Sequence, residues 1–153
     1  PRRVTQLLNR HGIDAHRLVL EITETTLMPD RNRSVAVLER LRKLGVRISI
    51  DDYGTGHAAL TYLRDFAVDE LKLDRSYVAT MLEDERTFAI VESTVSMGRR
   101  LGLVVVAEGV EEAEQVDALA RCGCEIIQGY LVSPALSAEA STTWVLAHLT
   151  TSH

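Results

Sequence analysis

The sequence predicts an α/β fold built on a parallel sheet, and three observations carry that prediction. Short β-rich runs alternate strictly with amphipathic helical patterns. Strand starts recur at intervals of about 20 to 35 residues, the size of a βα unit. The runs are nearly all apolar, as strands covered on both faces are. Parallel strands joined by helical crossovers fit either an open doubly wound sheet or part of a (β/α)₈ barrel, and about five such strands are present.

Taken in order, an amphipathic helix over residues 3–12 (RVTQLLNRHG) leads into a first strand over 18–23 (LVLEIT). A helical pattern over 35–45 precedes the strand VRISID at 46–51, and another over 57–66 precedes ELKLD at 70–74. The pattern over 88–102 leads to LVVVAE at 103–108, that over 112–123 to EIIQGY at 125–130, and a last helix is expected over 137–149. Glycine closes helical patterns here, as a C-cap should.

The totals agree with one globular domain: 153 residues, 46% of them apolar, and no low-complexity tract. A net charge of −5 with acids and bases interspersed provides no basic stripe, which argues against a nucleic-acid polymer as partner. No apolar run reaches membrane-spanning length and no signal pattern precedes the first helix, so a cytoplasmic protein is expected. Cys122 and Cys124 are too close in sequence for an unstrained disulfide and lack further ligands at zinc spacing, so they read as small buried hydrophobes. The histidines (His11, His16, His57, His148 and His153) show no ligand-pair spacing. "GTG" at 54–56 lacks the rest of a phosphate-binding fingerprint. The opening "PRRVTQ", without methionine and almost at once helical, reads as a piece of something longer.

The chemistry lies at the strand ends. In both candidate architectures the carboxyl ends of the strands meet on one rim, and here they carry Glu21 and Glu24, Asp51 and Asp52, Lys72 and Asp74, Glu108, and Gln128. Each has an ordinary alternative: Glu24 as a helix-start acid, the aspartates as turn formers, Lys72 as a snorkelling surface lysine. Glu108 follows an apolar run and would be costly to bury without a partner. Adjacent Asp51 and Asp52 repel, so a strand ending on both calls for a metal ion, a lysine or exposure to water.

In this order and separation, "LEITET", "DDYGTG", "LKLD", "AEGVE" and "QGY" resemble the EAL-domain family of cyclic-di-GMP phosphodiesterases over about residues 18–134. The resemblance implies a (β/α)₈ (TIM-like) barrel that hydrolyses one phosphodiester of cyclic di-GMP to linear pGpG with Mg²⁺ or Mn²⁺. It assigns Glu21 as a metal ligand, Asp51 as a ligand or bridge, and Asp52 as an assistant at a second metal. Lys72 would orient or stabilise the attacking water, Glu108 would lie at the metal–water centre, and Gln128 would contact substrate or ordered water. Thr23, Glu24, Asp74 and Glu111 would support that shell, Glu24 by holding the loop at Gly54 to Gly56. Two metals about 3.5 to 4 Å apart neutralise neighbouring carboxylates and clamp the attacking and leaving oxygens of an in-line displacement.

The chain departs from the family in lacking a Glu-Ala-Leu tripeptide and the early strand with a metal-binding asparagine, and in carrying Tyr53 where phenylalanine is usual. Residues 1–153 are therefore expected to be the C-terminal portion of a single EAL domain, about three βα units short of a barrel. Its open sheet edges would favour a homo-oligomer or pairing with the missing N-terminal segment, and the chain alone would be inactive. A cyclic-di-GMP receptor without turnover, or a protein-interaction fragment, are the alternative functions.

Overall fold

The computed structural model describes residues 1–23, 31–54, 63 and 66–149. Its centre is a five-stranded, all-parallel sheet in the order β1-β2-β3-β4-β5: Val19–Thr23, Arg47–Tyr53, Glu70–Leu73, Val104–Glu108 and Ile126–Gln128. Strand order equals chain order, so each crossover steps to the next strand in one direction, as a barrel wall is built. The fold is α/β, a partial (β/α)₈ barrel.

The helices are α1 (Arg2–His11), α2 (Arg31–Lys43), α3 (Arg75–Thr80), α4 (Glu85–Arg100), α5 (Ala113–Cys122) and α6 (Ala138–Leu149), with a 3₁₀ turn at Ala15–Arg17. The helix expected over 57–66 falls largely outside the described residues. Helix α1 ends on Gly12 and α5 on Gly123, both left-handed, and their N–H groups return to carbonyls of the last turn. Asp84 starts α4 by accepting from the Arg86 and Thr87 N–H groups. The short α3 was not expected from periodicity. It starts because Asp74 caps it, its carboxylate accepting from the Ser76 N–H at 3.0 Å.

Alternation along the strands sends one set of side chains to the helices. Leu20, Ile22, Ile48, Ile50 and Leu71 pack with Leu8, Leu38 and Leu41 of α1 and α2. Leu73, Val105 and Ala107 pack with Val78, Val91, Val95, Ala118 and Leu119 of α3, α4 and α5. Cys124 is buried in this second cluster and Cys122 lies against it; both are free thiols. Burial pushes both thiols' pKa values up, which keeps them protonated and unreactive at neutral pH.

The other set of side chains faces what would be the barrel interior. By the register, Glu21, Ser49 and Glu70 lie in one row, Thr23 beside Asp51, Lys72 beside Val106, and Glu108 beside Gln128. On this face Ser49, Lys72 and Val106 are buried, whereas Val104 and Ile126 are 37% and 44% exposed. Among the described residues no helix is long and apolar enough to cross a membrane.

Candidate active site

The inner face converges on Lys72. Its neighbours Leu71 and Leu73 are sealed against the helices, so alternation turns Lys72 inward, where it is 4% exposed. A buried ammonium requires partners. It has Glu108 Oε1 at 2.6 Å, Glu21 Oε1 at 2.9 Å and Asp51 Oδ1 at 3.5 Å from Nζ. Burial opposes its charge, but the hydrogen bonds it donates to Glu108 and Glu21 outweigh that and hold the pKa well above the usual lysine value. The snorkelling alternative for Lys72 is thereby excluded, and the carboxylate of Glu108 has the partner its burial demands.

A bulge explains how two adjacent aspartates serve one site. Neighbouring residues of a regular strand point to opposite faces. Between the pairs Ile50–Leu71 and Tyr53–Leu73 the register shifts, so Asp51 and Asp52 together stand opposite the single Lys72. Asp52 takes up the extra residue with a left-handed backbone, φ 56°, a conformation aspartate tolerates better than most residues. Tyr53 then returns to the helix side and is buried. The result is a group of carboxylate oxygens from Asp51, Asp52 and Glu108, all within 4.8 Å of one another.

The residues present fit a divalent cation. Among the described residues, Asp51 Oδ1 is a buried oxygen without a hydrogen bond; its Lys72 contact at 3.5 Å is only a long ion pair. The pKa of Asp52 is raised by burial, then by the Asp51 and Asp74 carboxylates, with Lys72 pulling it back. Glu21, Asp51, Asp52 and Glu108 outnumber the one ammonium, and hard oxygen donors of this kind suit Mg²⁺, Mn²⁺ or Ca²⁺.

The remaining expected residues lie at graded distances from this group. Thr23 and Gln128 border it in register with Asp51 and Glu108. Asp74 caps α3 and its charge reaches Asp52. Glu111 is exposed on the loop after β4, its N–H donating to Gln115 Oε1 at 2.9 Å. Glu24 lies outside the described residues.

Two supports were not anticipated from sequence. Tyr77 of α3 donates its hydroxyl to the Gly54 carbonyl at 2.7 Å, tying down the turn that follows the aspartates. Gly54 has φ 102°, and a Cβ there would stand 2.8 Å from the Tyr77 ring. Gln115 is buried and bridges the start of α5, accepting from Glu111 and Glu112 N–H, to the Val78 carbonyl of α3. Gly129 is fixed more tightly still: a Cβ would fall 2.1 Å from the Val110 carbonyl oxygen, which explains the glycine of "QGY".

Comparison with known proteins places this geometry. The EAL domain family model matches residues 1–135. The bifunctional diguanylate cyclase/cyclic di-GMP phosphodiesterase MucR of Pseudomonas aeruginosa is 43% identical over 136 residues, 89% of this chain and 20% of that protein. The solved MucR phosphodiesterase in complex with c-di-GMP superposes with a TM-score of 0.84 at 43% identity, over 90% of this chain and 56% of that one. BlrP1 of Klebsiella pneumoniae, solved with manganese and c-di-GMP, gives 0.80 at 34% identity over 86% of this chain and 34% of that one. It has also been solved with calcium and c-di-GMP. The chain spans about a fifth of the length of the curated MucR relative. With a family match over most of its length and its strands in the same arrangement, the chain belongs to the EAL domain family.

Proposed function

We propose that this chain is part of a metal-dependent phosphodiesterase that hydrolyses cyclic di-GMP to linear pGpG. The observation that carries the reading is the buried Lys72 surrounded by Glu21, Asp51 and Glu108, with Asp52 turned into the same group by a bulge. Asp51, Asp52, Glu108 and Glu21 would hold Mg²⁺ or Mn²⁺. When bound, such ions supply Lewis-acid polarisation of the phosphate and a nucleophile at neutral pH.

The chain's own residues supply the rest. Lys72 presents a fixed positive charge where negative charge grows on the phosphate, in a site whose low exposure keeps that charge effective. Of its three N–H donors, the one not held by Glu108 or Glu21 would orient the attacking water. Gln128, at the outer end of β5, would contact substrate or ordered water. Thr23, Asp74 and Glu111 would steady the ligands, with Glu24 in the same supporting role.

We read residues 1–153 as the C-terminal portion of a single EAL domain acting in the cytoplasm. The two edge strands, β1 and β5, and the exposed Val104 and Ile126 support pairing with a second copy or with further strands of the same barrel. On this reading the chain alone has negligible activity.

The test is release of pGpG from cyclic di-GMP. In a chain extended to a whole barrel, Lys72→Ala should lower turnover by about 10²- to 10³-fold with the fold retained. Binding of cyclic di-GMP without any cleavage by the unsubstituted barrel would favour a receptor instead.

A further inference from the structure

Three carboxylates are claimed twice at this site, Glu108 most closely. Glu108 belongs to the group that fits a divalent ion, and the same side chain lies 2.6 Å from Lys72 Nζ. Glu21, a further proposed ligand, lies 2.9 Å from the same nitrogen, whereas Asp51 is contacted more loosely at 3.5 Å and keeps an oxygen without a hydrogen bond.

We infer that Lys72 is an internal competitor for the divalent ion, so that metal affinity at this rim is held down by the ammonium's standing claim on Glu108 and Glu21. The inference rests on the metal-centre reading above and goes beyond it by giving Lys72 a role in metal affinity as well as at the phosphate.

The geometry gives Lys72 no retreat. Its side chain is 6% exposed on the face opposite Leu71 and Leu73, with the buried Val106 beside it in register. The ammonium therefore stays within a few ångströms of the carboxylates whether or not a metal is present. It repels any second cation there, and like charges at such separations interact strongly away from bulk water. In return Lys72 relieves the repulsion among Glu21, Asp51 and Glu108, which holds the rim together without metal. Asp51 is then the open ligand, and Glu108 and Glu21 are the contested ones.

The experiment is calorimetric titration of the full chain with Mn²⁺ alone, comparing the unsubstituted protein with Lys72→Met, Lys72→Gln and Asp51→Asn. Competition predicts that both Lys72 substitutions tighten Mn²⁺ binding by about tenfold or more, the effect of removing one nearby like charge. Affinity equal to or weaker than that of the unsubstituted chain overturns the inference. Asp51→Asn separates the two levels of argument: unchanged Mn²⁺ binding there defeats the metal-centre reading itself, whereas weakened binding leaves that reading standing whatever the Lys72 variants do. Loss of the ammonium leaves the carboxylates to repel one another, so the variants are also followed by circular dichroism on heating. A larger Mn²⁺-induced rise in Tm than in the unsubstituted chain is expected. A Lys72 variant that saturating Mn²⁺ fails to restore counts against the inference.

Discussion

Strand β3 has two faces that are buried for opposite reasons. Leu71 and Leu73 are 0% and 1% exposed against the helices, and removal of apolar area from water holds them there. Lys72, between them, is 4% exposed, and three carboxylates hold it there. The outer face tolerates no charge and specifies the fold. The inner face gathers carboxylates around one ammonium, an arrangement that contributes little net stability but places reactive groups. Stability and chemistry are thus separated by a single step along the strand.

The largest effect should come from the outer face. Leu71→Ala is expected to lower unfolding free energy by about 2–5 kcal/mol, measured by urea denaturation, because its close-packed surroundings cannot fill the space. A loss below about 1 kcal/mol would mean that the helix layer is not the source of stability. Tyr77→Phe tests the link between the faces: loss of the hydrogen bond to Gly54 should cost about 1 kcal/mol.

Asp52 sharpens the contrast by reversing the sign. Its pKa is raised in the fold, so at neutral pH its charge opposes folding. As pH falls through the raised native value the folded state takes up the proton first, and that opposition is relieved, fully so below the unfolded value of about 3.9. Asp52→Asn should therefore raise Tm at pH 7 in metal-free buffer and remove this acid-side relief. Asparagine also accepts the left-handed backbone. A fall in Tm at pH 7 would show that the carboxylate is compensated in the native state. At the low end, Leu101→Ala, at a position 54% exposed, should change stability by no more than about 0.5 kcal/mol.

Much of this architecture was legible in the sequence because parallel strands are near-continuous apolar runs and their polar ends must share a rim. The strand ends Glu21, Asp51, Lys72, Glu108 and Gln128 are all on the inner face. Periodicity missed α3, since a six-residue helix with Val78 as its buried residue leaves almost no pattern; the signal available was the Asp74-Arg75-Ser76 cap. It also could not place Asp52. Alternation sends Asp52 to the face opposite Asp51, and only a bulge with φ 56° brings the two together. Nor does sequence say which sheet face is inside, which is why Lys72 stayed ambiguous until Leu71 and Leu73 were seen under the helices.

The most direct test of the account is Mn²⁺ calorimetry on Asp51→Asn beside Glu83→Gln, which removes a carboxylate from an exposed turn far along the chain. If the inner-face carboxylates form a metal centre, Asp51→Asn weakens binding by at least about tenfold and Glu83→Gln leaves it unchanged. Equal effects of the two substitutions would contradict a metal centre at Asp51, Asp52 and Glu108.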